Sequence, residues 1–394
     1  MLNNIQKMYI STFLSNLTFF GPIAVPFFLD WGHLDYARIF ILESIYMLSI
    51  FVFEVPTGVI ADKYGKKVSF AAGLFLIALS ILGLISYPDF IVFVLAEVIG
   101  GCGTALVSGA DSALIFDTLK KTKDEKKAKE IFATRSLFGN MALIVSFPIG
   151  SFIAAQKFTP YPNILIYPFA ISAVAIILAG GVAMFIKEPK KEQTHDKFFE
   201  IGKKGLQEIY NNKVLIRLGL DMTMISVTSF FMFWFYQSIL RNAGVDISLW
   251  GWVAAGFNLF AMLLLWKLTA IEKHIGTEQL LFYSALAIGI FYLAIAASSI
   301  LWIAIVSIFA ITSMRLMRRP LFEHYINFHI RSKRRATVLS TINMMERLGA
   351  AILYPVIGFV ADVSLQLAFL VLGIATVIFA ILLRSDGKAF EKGK

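Results

Sequence analysis

Charge is scarce in this sequence: only 16% of its 394 residues are Asp, Glu, Lys or Arg, whereas 58% are hydrophobic and 14% aromatic. A soluble domain carries about 25% charged residues, so the scarcity excludes that class. Cysteine is almost missing. Cys102 stands alone inside an apolar run, which rules out a disulfide framework and a paired-thiol metal site. The five histidines are scattered without metal-ligand spacing, no glycine-rich phosphate loop occurs, and there is no serine or cysteine triad context. Enzyme chemistry and ATP hydrolysis therefore have no residues to stand on. No cofactor is expected, and any work done by the chain must draw on a proton or sodium gradient.

Long apolar runs are what the chain has instead, each near the length of about 20 residues that a helix needs to cross the hydrocarbon core. Twelve fall at about 8–29, 36–57, 68–86, 90–115, 133–155, 164–186, 214–240, 249–271, 280–297, 300–317, 336–360 and 365–383. The expected fold is all-α: a polytopic membrane protein of twelve transmembrane helices in two pseudo-symmetric six-helix bundles. Residues 1–186 make the N-terminal bundle, 187–213 a cytoplasmic amphipathic linker, and 214–394 the C-terminal bundle. In the charged linker, Phe198, Phe199, Ile201, Leu206, Ile209 and Tyr210 are spaced as one helical face suited to a membrane surface. The first run is too long for a signal-peptide core, and Gly21-Pro22 and Pro26 are expected to bend its outer half.

The net charge of +10 follows from topology. Positive residues gather at Lys63, Lys66 and Lys67, from Lys120 to Lys129, from Lys187 to Lys213, at Lys267 and Lys273, and from Arg315 to Arg335. The alternate loops hold only Arg38, Lys157 and Arg241. This positive-inside bias places both termini in the cytoplasm and the chain in the cytoplasmic (cell) membrane. Nothing remains for nucleic acid to explain. The expected partners are the lipid bilayer and a small-molecule substrate, with the chain acting as a monomer.

Between the second and third runs stand ten residues, Gly58-Val59-Ile60-Ala61-Asp62-Lys63-Tyr64-Gly65-Lys66-Lys67. An acid, two glycines and three lysines here interrupt Ile, Val and Phe, as in a tight polar turn between two spans. Gly58 is expected to let two helix ends approach, and Gly65 to supply a conformation barred to bulky residues. The stretch resembles the signature loop of the major facilitator superfamily: Gly58, Asp62, Lys63, Gly65, Lys66 and Lys67 fill its fixed positions, and Glu54-Val55-Pro56-Thr57 extends the likeness. The resemblance implies two halves that rock about a central site, with Asp62 closing the cytoplasmic gate against a helix end, for instance at Arg135 or Arg335. Glu272-Lys273-His274-Ile275-Gly276 looks like a degraded echo of the same turn, and Pro148-Ile149-Gly150 has a loose counterpart from Pro355. Both echoes fall where a duplicated six-helix unit places them.

Ionisable residues inside apolar runs cost free energy and need a reason to be there. The proton-coupling candidates are Glu97, Glu346, Arg347, Glu43 and Asp221. Glu97 precedes the small-residue stretch Gly100 to Ala105; many drug-exporting relatives have an arginine there, so its sign is reversed. Glu346 and Arg347 are adjacent, about 100° apart on a helix, and are expected to meet different partners, Arg347 pairing with Glu97 or Glu43. Asp221 is expected to pair along its own helix with Arg217. Candidate cavity residues are Asn16, Asn140 and Asn258, each near mid-span, with Trp234 and the polar Gln237 at the end of the aromatic run that starts at Phe230.

The resulting expectation is a secondary transporter that works by proton-coupled efflux of hydrophobic or amphipathic compounds. Uptake of a metabolite with protons or sodium is the alternative, because the exporter hallmark in span 5 is only partly present as Pro148-Ile149-Gly150-Ser151. A non-transporting receptor or scaffold on the same fold is the third reading.

Overall fold

The structure is a computed structural model that describes residues 3–188, 213–329 and 335–384. The amphipathic helix expected in the linker lies outside the described residues. Eleven long helices follow a broken first segment. Helix α1 (Asn4–Ser15) starts on an Asn3 capping box with Gln6 and ends at Asn16. The chain continues to Trp31 as a 3-10 turn (Gly21–Ile23), three α-helical residues (Ala24–Pro26) and a π turn (Phe27–Trp31). The expected bend is therefore a complete break, because Pro22 and Pro26 each remove a backbone donor within five residues. Aromatic packing secures it, with Phe27 stacked on Trp31 at 4.8 Å and against Phe169 at 3.9 Å.

The remaining helices are α2 (Tyr36–Tyr64), α3 (Lys66–Leu84), α4 (Phe90–Thr122), α5 (Ala128–Ala154) and α6 (Ile166–Met184), then α7 (Lys213–Asn242), α8 (Ile247–Ile275), α9 (Thr277–Ala297), α10 (Leu301–His329), α11 (Arg335–Val363) and α12 (Leu365–Leu382). Among the described residues these eleven are long and apolar enough to cross a membrane. The broken segment supplies the twelfth expected run. Helix starts are encoded locally: Asp35, Asp89 and Ser364 accept hydrogen bonds from the free N–H groups of α2, α4 and α12.

Several helices outrun their apolar stretches. Helix α2 continues through Asp62 to Tyr64, so the signature turn narrows to Gly65 alone. Helix α10 continues to His329, so the basic stretch from Arg318 to His329 is helical where a loop was expected. Hydropathy marks where lipid ends, but a helix ends where its hydrogen-bonding and capping end.

The chain divides into two compact units, Met1–His195 with Val245–Ala255, and Asp196–Gly244 with Gly256–Lys394. In the first, α3 packs on α4 and α6, and α1 on α5 and α6; in the second, α9 packs on α10 and α12, and α7 on α11 and α12. Each pairing recurs six helices later, as a duplicated six-helix unit requires. The turns repeat as well. Gly65 (φ 106°, ψ 145°) and Gly276 (φ 85°, ψ 145°) join successive helices in nearly the same backbone conformation, one that side-chain-bearing residues rarely adopt.

Candidate functional site

In the first unit the small residues of α4 determine what meets what. A Cβ at Gly101 would stand 2.5 Å from Ser49 Cβ and 2.9 Å from the Tyr46 carbonyl, and one at Gly103 would stand 2.8 Å from the Gly73 carbonyl. Glycine at these places lets α2 and α3 close on α4, and Tyr46 Oη and Thr104 Oγ1 share a hydrogen bond at 2.8 Å across the α2–α4 contact. One turn before Gly101 sits Glu97, 7% exposed; one turn before Tyr46 sits the half-buried Glu43. Close packing thus brings the two carboxyls into each other's field. Among the described residues neither has a hydrogen-bond or ion-pair partner. Glu97 feels the charge of Glu43, so within the first unit the two carboxyls form an acid pair.

At the α2–α3 turn the expected and observed geometries differ in detail. Gly65 is needed twice, for its positive φ and because a Cβ there would lie 2.5 Å from Glu188 Oε2. Glu188 follows α6 and caps α3: the backbone N–H of Lys66 donates to its Oε1 at 2.7 Å and that of Lys67 to its Oε2 at 3.3 Å. Lys66 Nζ also pairs with Asp117 at 2.6 Å, and Lys63 lies over the Tyr64 ring. Gly58 does not mediate a close approach, since a Cβ there would meet nothing within 4 Å. Asp62 is exposed on the last turn of α2. Its expected partner Arg135 is engaged elsewhere, donating to buried Asp111 and, at 3.1 Å, to Thr12 Oγ1. The Arg335 side chain is outside the described residues.

The second unit also contains spanning charges, and most of them are neutralised. Asp221 pairs with Arg318 of α10 at 2.7 Å and not with Arg217, which is exposed on α7. Arg318 further donates to the Leu281 carbonyl and, at 2.8 Å, to Ser284 Oγ, so its guanidinium is held between α7, α9 and α10. Glu346 lies 3.9 Å from Arg319, accepts a hydrogen bond from Ser226, and feels Arg315 and Arg347. Arg319 Nη2 donates to Asn343 Oδ1 at 3.2 Å. Arg315 differs from its neighbours: its guanidinium lies 4.7 Å over the Phe230 ring and has neither hydrogen bond nor ion pair among the described residues.

The polar cavity candidates fall at the end of α1 and on α5, α7 and α8. Asn16 caps α1 through its Nδ2, which donates to the Thr12 carbonyl at 2.8 Å, and a Cβ on the neighbouring Gly139 would touch it. Half-buried Asn140 follows Gly139 on α5. Asn258 is buried on α8, and Trp234 and Gln237 are buried on α7, at 6% and 0% exposure. Ser226, Phe230 and Phe233 are partly accessible positions on α7, recurring at helical spacing. Sequence reading missed Arg315, Arg318 and Ser226. The two arginines were counted as loop charges, and the signal that could have separated them is the apolar residues that continue between them, Leu316 and Met317.

Known proteins share this architecture. The sequence pattern of the Major Facilitator Superfamily matches residues 8–322. The chain is 25% identical over 281 residues to the uncharacterized MFS-type transporter YxaM of Bacillus subtilis (strain 168), a match covering 68% of this chain and 66% of that protein. It is 28% identical over 195 residues to the quinolone resistance protein NorA of Staphylococcus aureus, covering 48% of this chain and 47% of NorA. The match thus spans less than two thirds of the length of either curated relative. Among solved structures, a variant of the nucleoside transporter NupG has a TM-score of 0.82 at 13% identity, covering 97% of this chain and 99% of that one. A bacterial homolog of the human lysosomal transporter Spinster, inward-facing and unoccupied, gives 0.75 at 14% identity, over 99% and 95%. At such identities the likeness is one of fold alone.

Proposed function

The chain belongs to the major facilitator superfamily and is a membrane transporter rather than an enzyme; from that premise we propose that it exports small hydrophobic or amphipathic compounds by alternating access, driven by protons entering the cell. The observation that carries this reading is the Glu43–Glu97 pair. Two carboxyls within each other's field, surrounded by apolar helix and without a cation, are a poor place for two negative charges. Such a pair offers a place for a proton that a change in its surroundings can release. A pair of this kind binds one proton per cycle and hands it on when water reaches it from the other side.

Export is supported by the relatives named for quinolone resistance. The lysines at the α2–α3 turn and in the 120–129 stretch favour a cytoplasmic position for these ends, with both termini on that side. The Glu188 cap then stiffens the inner end of α3, and exposed Asp62 is available to a partner that changes during the cycle. Proton-coupled uptake is the second reading. It is favoured by the incomplete exporter hallmark at Pro148-Ile149-Gly150-Ser151.

Everted vesicles test direction and coupling together. An imposed inside-acid gradient is expected to drive accumulation of at least one member of a fluorescent amphipathic library in wild-type vesicles and none in Glu97→Gln. Accumulation only in right-side-out vesicles would establish uptake instead.

A further inference from the structure

Among the described residues Arg315 is a spanning cation with neither hydrogen bond nor ion pair. It lies about 21 Å along α10 from Leu301, by the rise of an α-helix, inside the stretch long and apolar enough to cross a membrane. One turn on, Arg318 shows what a structural arginine looks like here: 4% exposed, ion-paired, and bonded to a carbonyl and a hydroxyl. Arg315 is partly accessible and has only the Phe230 face beneath it, at 4.7 Å. Five N–H donors are left without an acceptor from the described residues. Glu346 is in its field, yet Glu346 stands within ion-pair distance of Arg319 instead.

The surroundings are flat and aromatic. Phe230 stacks on Tyr354 at 5.8 Å (interplanar 14°) and on Phe233 at 5.8 Å (16°), so rings from α7 and α11 lie nearly parallel beside the guanidinium. Phe230 and Phe233 are the partly accessible rings of α7, a helix whose other rings are buried. Arg315 sits in the field of one acid, Glu346, and of a second cation, Arg319, so an anionic cargo relieves its surroundings and a cationic one worsens them. A guanidinium fixed on a ring keeps its fork of donors oriented, which suits a planar oxyanion.

We propose that Arg315 with the partly accessible Phe230 and Phe233 rings, backed by buried Tyr354, is a binding subsite for a flat apolar molecule carrying one carboxylate or similar oxyanion. The carboxylate takes the guanidinium N–H groups edge-on, and the apolar body lies along the rings. This rests on the transport reading above, since it names the chemical class of the cargo.

The test is equilibrium binding of three matched probes, 2-naphthoate, methyl 2-naphthoate and 2-naphthylmethylammonium, to the purified full chain in lipid nanodiscs. No gradient is applied, so an error about coupling or direction leaves this result unchanged, and the vesicle assay with Glu97→Gln is independent of it. Wild type is expected to bind the naphthoate roughly tenfold or more tightly than the ester, and the ammonium weakest. Arg315→Gln removes the preference, and Arg315→Lys keeps part of it. Arg315→Lys also guards against misfolding, read as a monodisperse elution profile. Equal affinity for the three probes, no naphthoate binding to wild type, or an unchanged preference in folded Arg315→Gln overturns the proposal.

Discussion

The two halves treat buried charge in opposite ways. In the first, the groups without a partner among the described residues are acids, Glu43 and Glu97, drawn together by the glycines of α4, while Asp111 and Arg135 neutralise each other. In the second, Asp221 is answered by Arg318 and Glu346 by Arg319 and Ser226, while the cation Arg315 has neither hydrogen bond nor ion pair among the described residues. A duplicated fold has thus kept its packing pattern and diverged in its charges. Paired charges hold helices together; unpaired ones are available for cargo or protons. The difference sorts spanning ionisable residues by what they do.

The comparison breaks if paired and unpaired charges respond alike to substitution. Arg318→Met has the largest expected effect, because it strands Asp221 in a buried site at a cost of about 3–5 kcal/mol. Thermal melting of detergent-solubilised protein should show it, and Asp221→Leu combined with Arg318→Met should recover most of the loss. Next is Gly65→Ala, which meets both positive-φ strain and the Glu188 carboxylate, at about 1–3 kcal/mol. Gly276→Ala, with nothing within 4 Å of its Cβ, should lose only the strain portion, so the two melting shifts measure the value of the Glu188 cap. Lys66→Ala breaks a half-exposed ion pair and should shift stability by less than about 1 kcal/mol. Glu97→Gln should leave the melting temperature nearly unchanged, since the carboxyl has no partner to lose.

Much of this was legible in the sequence, and the gaps have physical causes. The apolar runs place the helices, Pro22 and Pro26 announce the break in the first segment, and Gly65 announces its turn. Glu97 is conspicuous because it is an acid among apolar residues. Its companion Glu43 required knowing which face of α2 the glycines of α4 admit, a fact of three dimensions. Asp221 was matched to Arg217 because sequence proximity was the only distance to hand; the fold supplies Arg318, three helices later. Arg135 was matched to Asp62 for the same want of geometry, and Asp111 claims it. The end of α10 was misplaced because hydropathy falls before the helix does, which hid Arg315 and Arg318 among loop charges.

The central claim is that the Glu43–Glu97 pair carries the coupling proton without holding the fold together. Its most direct test measures one fluorescent cargo in everted vesicles under two regimes, gradient-driven accumulation and gradient-free counterflow, in wild type and Glu97→Gln. The account predicts that the variant loses accumulation while counterflow continues at close to the wild-type rate. Accumulation in Glu97→Gln at the wild-type rate would contradict it.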